Sequence, residues 1–257
     1  MLYLNHKTYG SRGHPLIILH GLLGMLDNWQ TQSKLYAEAG MKVYAIDQRN
    51  HGKSPHRDVF NFEAMARDAH DFMNQHAIAS AYVLGHSMGG KTAMQFALTY
   101  PELVDKLVVV DVAPKKYPAA HDEILDAMAS LKLNQFITRQ EADNEIAKRL
   151  PKYSLRQFVL KNLARAESGE LKWKVNLPVI KKHYPEIAGD ITVDGVFAKP
   201  TLFIKGGRSN YIRQSDEKRM HKLFPTSTIL TLPDAGHWIH AEKPEEFGKV
   251  VLKFLLS

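Results

Sequence analysis

Short, uninterrupted apolar runs recur along the chain, and most of them precede a segment with helical spacing. Six runs are rich in β-branched residues and end in a polar or glycine-containing loop: 16–19, 43–46, 81–84, 107–110, 201–204 and 228–232. Continuous apolarity predicts strands covered on both faces, as in a parallel sheet between two layers of helices. Segment 2–9 alternates more between polar and apolar residues, so we expect it at the sheet edge.

Helical patterns occupy the gaps between these runs. Within 62–72 the apolar residues recur at three-to-four spacing, which places them on one face of a helix. Residues 87–100 are rich in helix formers, and the pattern after Pro244 is helical again, with proline tolerated in the first turn. This alternation predicts an α/β fold with a doubly wound, mostly parallel sheet.

One long segment interrupts the alternation. Residues 113–199, which we call the lid segment, contain almost no strand-like run and carry 15 Lys and Arg against 11 Asp and Glu. The pattern predicts helices around 122–131, 141–150 and 155–166. We therefore expect a core formed by 1–112 and 200–257, with the lid segment inserted as a helical lid over the site.

Composition narrows the class of protein. The chain has 257 residues and 44% hydrophobic content, enough for a sizeable core, and it has no cysteine, which excludes disulfides, thiolate metal sites and a cysteine nucleophile. No apolar run approaches the roughly 20 residues that cross hydrocarbon, and charge interrupts the first residues before a secretory signal can form. We expect a cytoplasmic protein without a membrane span.

The net charge of +7 raises the question of nucleic acid binding, because basic domains often meet phosphate backbones. The basic residues cluster at most in pairs, such as Lys115 with Lys116, and no nucleic-acid-binding motif accompanies them. We therefore expect a solvated basic surface and no nucleic acid partner.

The motif that indicates chemistry is Gly-His-Ser-Met-Gly at 85–89, which fits the G-x-S-x-G nucleophile elbow. Ser87 stands between a predicted strand and a predicted helix, where a strained turn lifts the side chain clear of the sheet. Flanking glycines relieve the crowding of such a turn, and the helix amides point at developing negative charge. The sequence predicts Ser87 as the nucleophile.

A serine hydroxyl needs a base to take its proton. His237 is the strongest candidate, because it follows the last predicted strand and precedes the last helix; His240 is the nearest alternative. The carboxylate that orients the base is predicted at Asp111, just after the run 107–110. Asp216 is the fallback.

An oxyanion hole requires two backbone amides that face the tetrahedral intermediate. We expect one from Met88, the residue after the nucleophile, and the other from Leu22 in the loop after the first apolar run. Four aromatic residues are predicted to line an apolar acyl pocket: Phe136, Phe158, Trp173 and Trp238. The positive charge of the lid segment suggests a phosphate-bearing thioester, such as an acyl-coenzyme A.

Several motifs together resemble the α/β-hydrolase superfamily over nearly the whole chain. They are His-Gly at 20–21, Asp-Gln-Arg-Asn-His-Gly-Lys-Ser at 47–54, the elbow extended to Gly90, and Gly-His at 236–237. Segments 49–52, 89–91, 111–114 and 236–244 look more narrowly like the bacterial YbfF-type esterases. The resemblance implies a carboxylester or acyl-thioester hydrolase with a helical cap, and it also supports Asp111 as the acid.

The sequence thus predicts a serine hydrolase that cleaves a small-molecule ester or acyl thioester through an acyl-enzyme and requires no metal or organic cofactor. Two other classes stay open. Carbon–carbon bond hydrolases and cofactor-free haloperoxidases of the same superfamily use the same three groups, and a non-catalytic relative would keep the fold for ligand binding. Haloalkane dehalogenation is disfavoured, since it uses an aspartate where this chain has Ser87.

Overall fold

The computed structural model describes residues 1–257 and contains nine strands, ten α-helices and three short 3₁₀ helices. The strands are β1 His6–Tyr9, β2 Pro15–Leu19, β3 Lys42–Ile46, β4 Ala81–His86, β5 Val104–Val110, β6 Leu163–Arg165, β7 Leu171–Trp173, β8 Thr201–Gly206 and β9 Ser227–Leu232. The helices are α1 Gln30–Glu38, α2 Phe62–Gln75, α3 Met88–Thr99, α4 Asp122–Ser130, α5 Arg139–Ile146, α6 Tyr153–Leu160, α7 Leu177–Ala188, α8 Gln214–Leu223, α9 Ile239–Glu242 and α10 Pro244–Leu256. None of the helices combines the length and apolarity that a bilayer crossing requires.

Seven strands form one sheet in the order β1-β3-β2-β4-β5-β8-β9. All neighbouring pairs are parallel except β1 with β3, which places the one antiparallel strand at an edge. The predicted α/β class and the mostly parallel, doubly wound sheet are confirmed. Because parallel strands end at the same edge, the loops after β2, β4, β5, β8 and β9 meet there.

The apolar runs are continuous because each strand packs on both faces. In β2, Ile17 and Leu19 belong to one core cluster, whereas Leu16 and Ile18 belong to another, as the two-residue period of a strand requires. Side chains of α2, α3 and α8 fill the first cluster, and those of α1 and α10 fill the second. These four residues of β2 are at most 2% exposed, so the sheet is a rigid base for the loops at its edge.

The lid segment leaves the sheet after β5 and returns to it at β8. It contains α4 to α7 and a separate hairpin of β6 and β7. Its apolar cluster includes Leu23, from a loop at the sheet edge, and Met88, the first residue of α3. The helix predicted at 155–166 is wrong beyond Leu160, because a turn at Gly169, with φ of 87°, folds the chain back into the hairpin. The predicted start of the helix at 141 is two residues late, because Thr138 caps α5 in a capping box with Glu141.

Candidate active site

Ser87 occupies a strained turn between β4 and α3, with φ of 52° and ψ of −117°. Its N–H donates to the carbonyl of Val110 at 3.0 Å, and its carbonyl accepts from the N–H of Lys91 at 3.0 Å. The turn tolerates no side chain at Gly89, because a Cβ there would overlap the backbone carbonyl of Leu19. Sheet and helix backbone together therefore fix the position of Ser87.

His237 and Asp111 form a hydrogen-bonded pair at the same edge of the sheet. His237 Nδ1 lies 2.8 Å from Asp111 Oδ2, and the carboxylate is completely buried. The carboxylate also accepts from the Gly206 N–H at 3.0 Å through Oδ1 and from the Ser209 hydroxyl through Oδ2. With the imidazole proton held at Nδ1 by the carboxylate, Nε2 is left as an acceptor.

Two further contacts orient His237. The ring of Tyr211 stacks on it with centroids 3.9 Å apart and planes 14° apart. His86, the neighbour of Ser87, donates from Nε2 to the carbonyl of His237 at 2.9 Å. This bond joins the elbow directly to the loop that carries His237. No hydrogen bond joins the Ser87 hydroxyl to the imidazole, as is common in sites without substrate.

Leu22 and Met88 line the same cavity as Ser87. The Leu22 N–H has no hydrogen-bond partner within the chain, and Met88 is the first residue of α3, where an amide has no acceptor in its own helix. His51 holds the loop, because its Nε2 accepts from the Leu23 N–H at 3.1 Å. Two residues with free amide donors therefore share the cavity lining with Ser87.

The imidazoles that hold these loops are neutral. Burial lowers the pKa of His20 to about 4 and that of His51 to about 3. His51 donates from Nδ1 to the Arg49 carbonyl at 3.0 Å, so its Nε2 is free to accept from Leu23. His20 likewise accepts at Nε2 from the Gln48 N–H at 3.0 Å. A protonated ring could not accept either bond.

The cavity in front of Ser87 has a volume of about 190 Å³ and is lined by 15 residues, nine of them hydrophobic. Lys91 of α3 is one of the polar ones, although it is only 2% exposed. Its Nζ donates to the carbonyls of Ala188 and Gly189 at the end of α7 and lies 4.7 Å from the centroid of the Tyr117 ring. Burial lowers the pKa of Lys91 to about 8. Lys91 thus connects α3, which follows Ser87, to the lid segment through hydrogen bonds.

The predicted acyl-pocket aromatics are not among the residues that line this cavity. Phe158 packs against Trp238 with ring centroids 5.7 Å apart, and Phe136 and Trp173 pack against the apolar cluster of the lid segment. Their contact with substrate stays a prediction.

Asp216 and His240, the alternative acid and base, contact residues outside the pair of His237 and Asp111. Asp216 pairs with Lys115 and accepts from the N–H of Arg213 at the start of α8. His240 stacks on Trp29 with centroids 4.2 Å apart. Neither is hydrogen-bonded to the pair of His237 and Asp111.

Sequence reasoning missed several groups of the site. Ser209 and Tyr211 lie in the loop after β8, where the sequence predicted no site residue. The sequence does contain a signal for Lys91, because it is the one charged residue in the helix Met88–Thr99. The pairing of Ser209 with Asp111 left none, because it joins loops 98 positions apart.

Known proteins resemble this chain over its whole length. It is 38% identical to the sn-1-specific diacylglycerol lipase ABHD11 of Danio rerio, over 98% of this chain and 82% of that relative. It is 34% identical to the esterase YbfF of Escherichia coli, over 94% of this chain and 92% of the relative, which confirms the predicted resemblance. A solved structure of a marine microorganism esterase superposes with a TM-score of 0.96 at 40% identity, covering 99% of this chain and all of that one.

Relatives with these names are ester-cleaving enzymes, in agreement with the serine hydrolase predicted from the sequence. The family described as having the alpha/beta hydrolase fold matches residues 14–244, which is most of the chain. The seven-stranded sheet and the strained serine at the end of β4 are what that fold provides. The chain belongs to the α/β-hydrolase family.

Proposed function

We propose that the protein is a carboxylesterase that uses Ser87 as nucleophile, His237 as base and Asp111 as the orienting acid. The observation that carries the proposal is the arrangement of three features at one sheet edge. A serine on a strained elbow and two residues whose amides have no acceptor line one cavity. A histidine bonded to a buried carboxylate stacks on Tyr211, which belongs to the same lining. The names of the esterase and lipase relatives support the same reaction class.

In this mechanism the Ser87 oxygen attacks the ester carbonyl while His237 Nε2 takes the hydroxyl proton. The amides of Leu22 and Met88 stabilise the negative charge on the carbonyl oxygen. His237 then gives the proton to the leaving alcohol, and the acyl group stays on Ser87. A water molecule, deprotonated by the same imidazole, releases the acid and restores the serine.

The size of the cavity favours small acyl groups. A volume of about 190 Å³ is below the range of roughly 300–1,000 Å³ typical of sites that enclose a whole drug-sized ligand. We therefore propose short-chain esters as substrates. Acyl-coenzyme A thioesters remain a prediction from the charge of the lid segment, to be compared with the matching free ester at low and high salt. The cytoplasmic location and the lid role of residues 113–199 also remain predictions.

The test of the proposal is hydrolysis of p-nitrophenyl acetate by Ser87→Ala, with Ser227→Ala in β9 as the matched control. We expect Ser87→Ala to abolish turnover and to prevent labelling by a fluorophosphonate, with an unchanged circular dichroism spectrum. Ser227→Ala should keep both. Wild-type turnover in Ser87→Ala would refute the assignment.

A further inference from the structure

A histidine that the mechanism above does not use lines the same cavity as Ser87. His121 lies directly before α4, and its partner is Tyr184 of α7. The backbone N–H of His121 donates to the Tyr184 hydroxyl oxygen at 2.9 Å, and the ring Nδ1 lies 2.9 Å from the same oxygen. Tyr184 is only 4% exposed, so packing holds the pair in place.

This network is the basis on which we assign the tautomer of His121. The Tyr184 oxygen accepts from the backbone N–H, and the acceptor within reach of its own proton is His121 Nδ1. A neutral imidazole that accepts at Nδ1 carries its proton at Nε2. Nε2 has no partner within the chain and is not enclosed by protein atoms. With this assignment, the free N–H donor belongs to a residue that lines the cavity of Ser87.

The donor is neutral, and His121 shares the cavity lining with Tyr211, whose ring stacks on the proposed base His237. Burial, and after it the charge of nearby His237, lowers the pKa of His121 to about 4. During turnover the leaving oxygen of the ester must contact His237, because that imidazole gives it a proton. A donor near His237, separate from the amides of Leu22 and Met88, is thus placed for the alcohol side of the ester.

We propose that His121 donates a hydrogen bond from Nε2 to the alcohol oxygen of the ester as the tetrahedral intermediate collapses. The carbon–oxygen bond breaks with its electron pair on that oxygen, His237 supplies the proton, and His121 keeps its own. Tyr184 is the positioning residue that fixes the tautomer. The inference rests on the proposed ester hydrolysis, and it adds a substrate class: esters of poorly leaving aliphatic alcohols.

The test compares ethyl acetate with p-nitrophenyl acetate, which form the same acetyl-enzyme and differ only in the leaving group. An aliphatic alkoxide needs a donor, whereas p-nitrophenolate leaves without one. We expect His121→Leu to lower kcat/KM for ethyl acetate by roughly 10- to 100-fold, as for the loss of a hydrogen bond to a charged oxygen. The loss for p-nitrophenyl acetate should stay below about threefold.

Two variants distinguish hydrogen-bond donation by His121 from a contribution of its packing. His121→Gln carries an amide N–H and should recover most of the ethyl acetate activity. Tyr184→Phe keeps the ring but frees the tautomer, so it should reduce ethyl acetate hydrolysis selectively. The matched control is His183→Leu, on the same helix as Tyr184 but outside the cavity lining, which should change neither rate. Melting temperatures of all variants show whether the fold is kept.

The outcomes are distinct. A selective loss on ethyl acetate in His121→Leu, with recovery in His121→Gln, supports the inference. Equal losses on both esters, or no loss, overturn it and leave the proposed function intact. A wild-type protein that hydrolyses neither ester overturns the proposed function, and the inference with it.

Discussion

Replacing Asp111 by asparagine should leave the fold intact and nearly abolish turnover, for a reason visible in its hydrogen bonds. The carboxylate accepts from the Gly206 N–H at Oδ1, and from His237 and the Ser209 hydroxyl at Oδ2. An asparagine has one acceptor oxygen and one donor nitrogen for these two positions. The orientation of the asparagine amide decides which tautomer His237 adopts.

The backbone amide of Gly206 cannot change its role, whereas a histidine can change its tautomer and a hydroxyl can rotate. Turning the asparagine nitrogen toward Gly206 would leave two buried donors facing each other, which costs about 1–3 kcal/mol. The amide oxygen therefore stays at Gly206 and the nitrogen faces His237. The imidazole must then accept at Nδ1 and carry its proton at Nε2, where it cannot deprotonate Ser87.

This wrong tautomer should lower kcat by roughly 10⁴-fold, the size known for such substitutions in serine hydrolases, or about 5.4 kcal/mol of transition-state stabilisation. The assay is p-nitrophenyl acetate hydrolysis with active-site titration. Asp216→Asn is the matched control, because its carboxylate pairs with Lys115 and not with His237. An Asp111→Asn enzyme with a tenth or more of wild-type kcat would refute the reasoning, as would an equal loss in Asp216→Asn.

Two other predictions concern stability. Burial lowers the pKa of His20 to about 4 and that of His51 and His240 to about 3. Histidines in an unfolded chain titrate near pH 6.5. Between the folded and the unfolded pKa of each histidine, the unfolded chain therefore binds more protons than the folded one. The free energy of unfolding should be highest above pH 6.5. As the pH is lowered from there, it should decrease by at most about 1.4 kcal/mol per pH unit for each histidine. A melting temperature that stays constant from pH 7 to pH 4.5 would contradict this prediction. Gly89→Ala should lower the free energy of unfolding in denaturant by about 3 kcal/mol or more, because its Cβ meets sheet backbone that cannot move aside. Gly195→Ala should be nearly neutral, because its Cβ would make only ordinary van der Waals contacts with Leu98, at 3.8 Å.

Much of the scaffold follows from the local sequence. The continuous apolar runs predict the parallel strands because every strand residue must be covered on one face or the other. The elbow motif predicts where a strand turns into a helix, since glycine at position 89 is required by the close approach of Leu19. Residues that follow strands, such as Asp111 and His237, come to one sheet edge because parallel strands end there.

The structure of the lid segment is predicted less well by its local sequence pattern. Residues 155–166 have helical spacing throughout, yet the helix ends at Leu160 and buried Asn162 donates to the carbonyl of Leu23 at 2.8 Å. That bond joins positions 139 apart in the chain, so no local periodicity encodes it. The competing hairpin depends on a turn at Gly169 and on packing against the sheet edge.

By itself, then, the sequence determined the strands, the elbow serine and the order of the groups along the chain, because strand period and glycine sterics act over a few residues. Only the tertiary structure decided which donor meets which acceptor: Gly206 and Ser209 at Asp111, His51 at the loop of Leu22, and Tyr184 at His121. Hydrogen bonds act over about 3 Å, and two residues distant in sequence come that close only after the sheet and the lid segment have packed together.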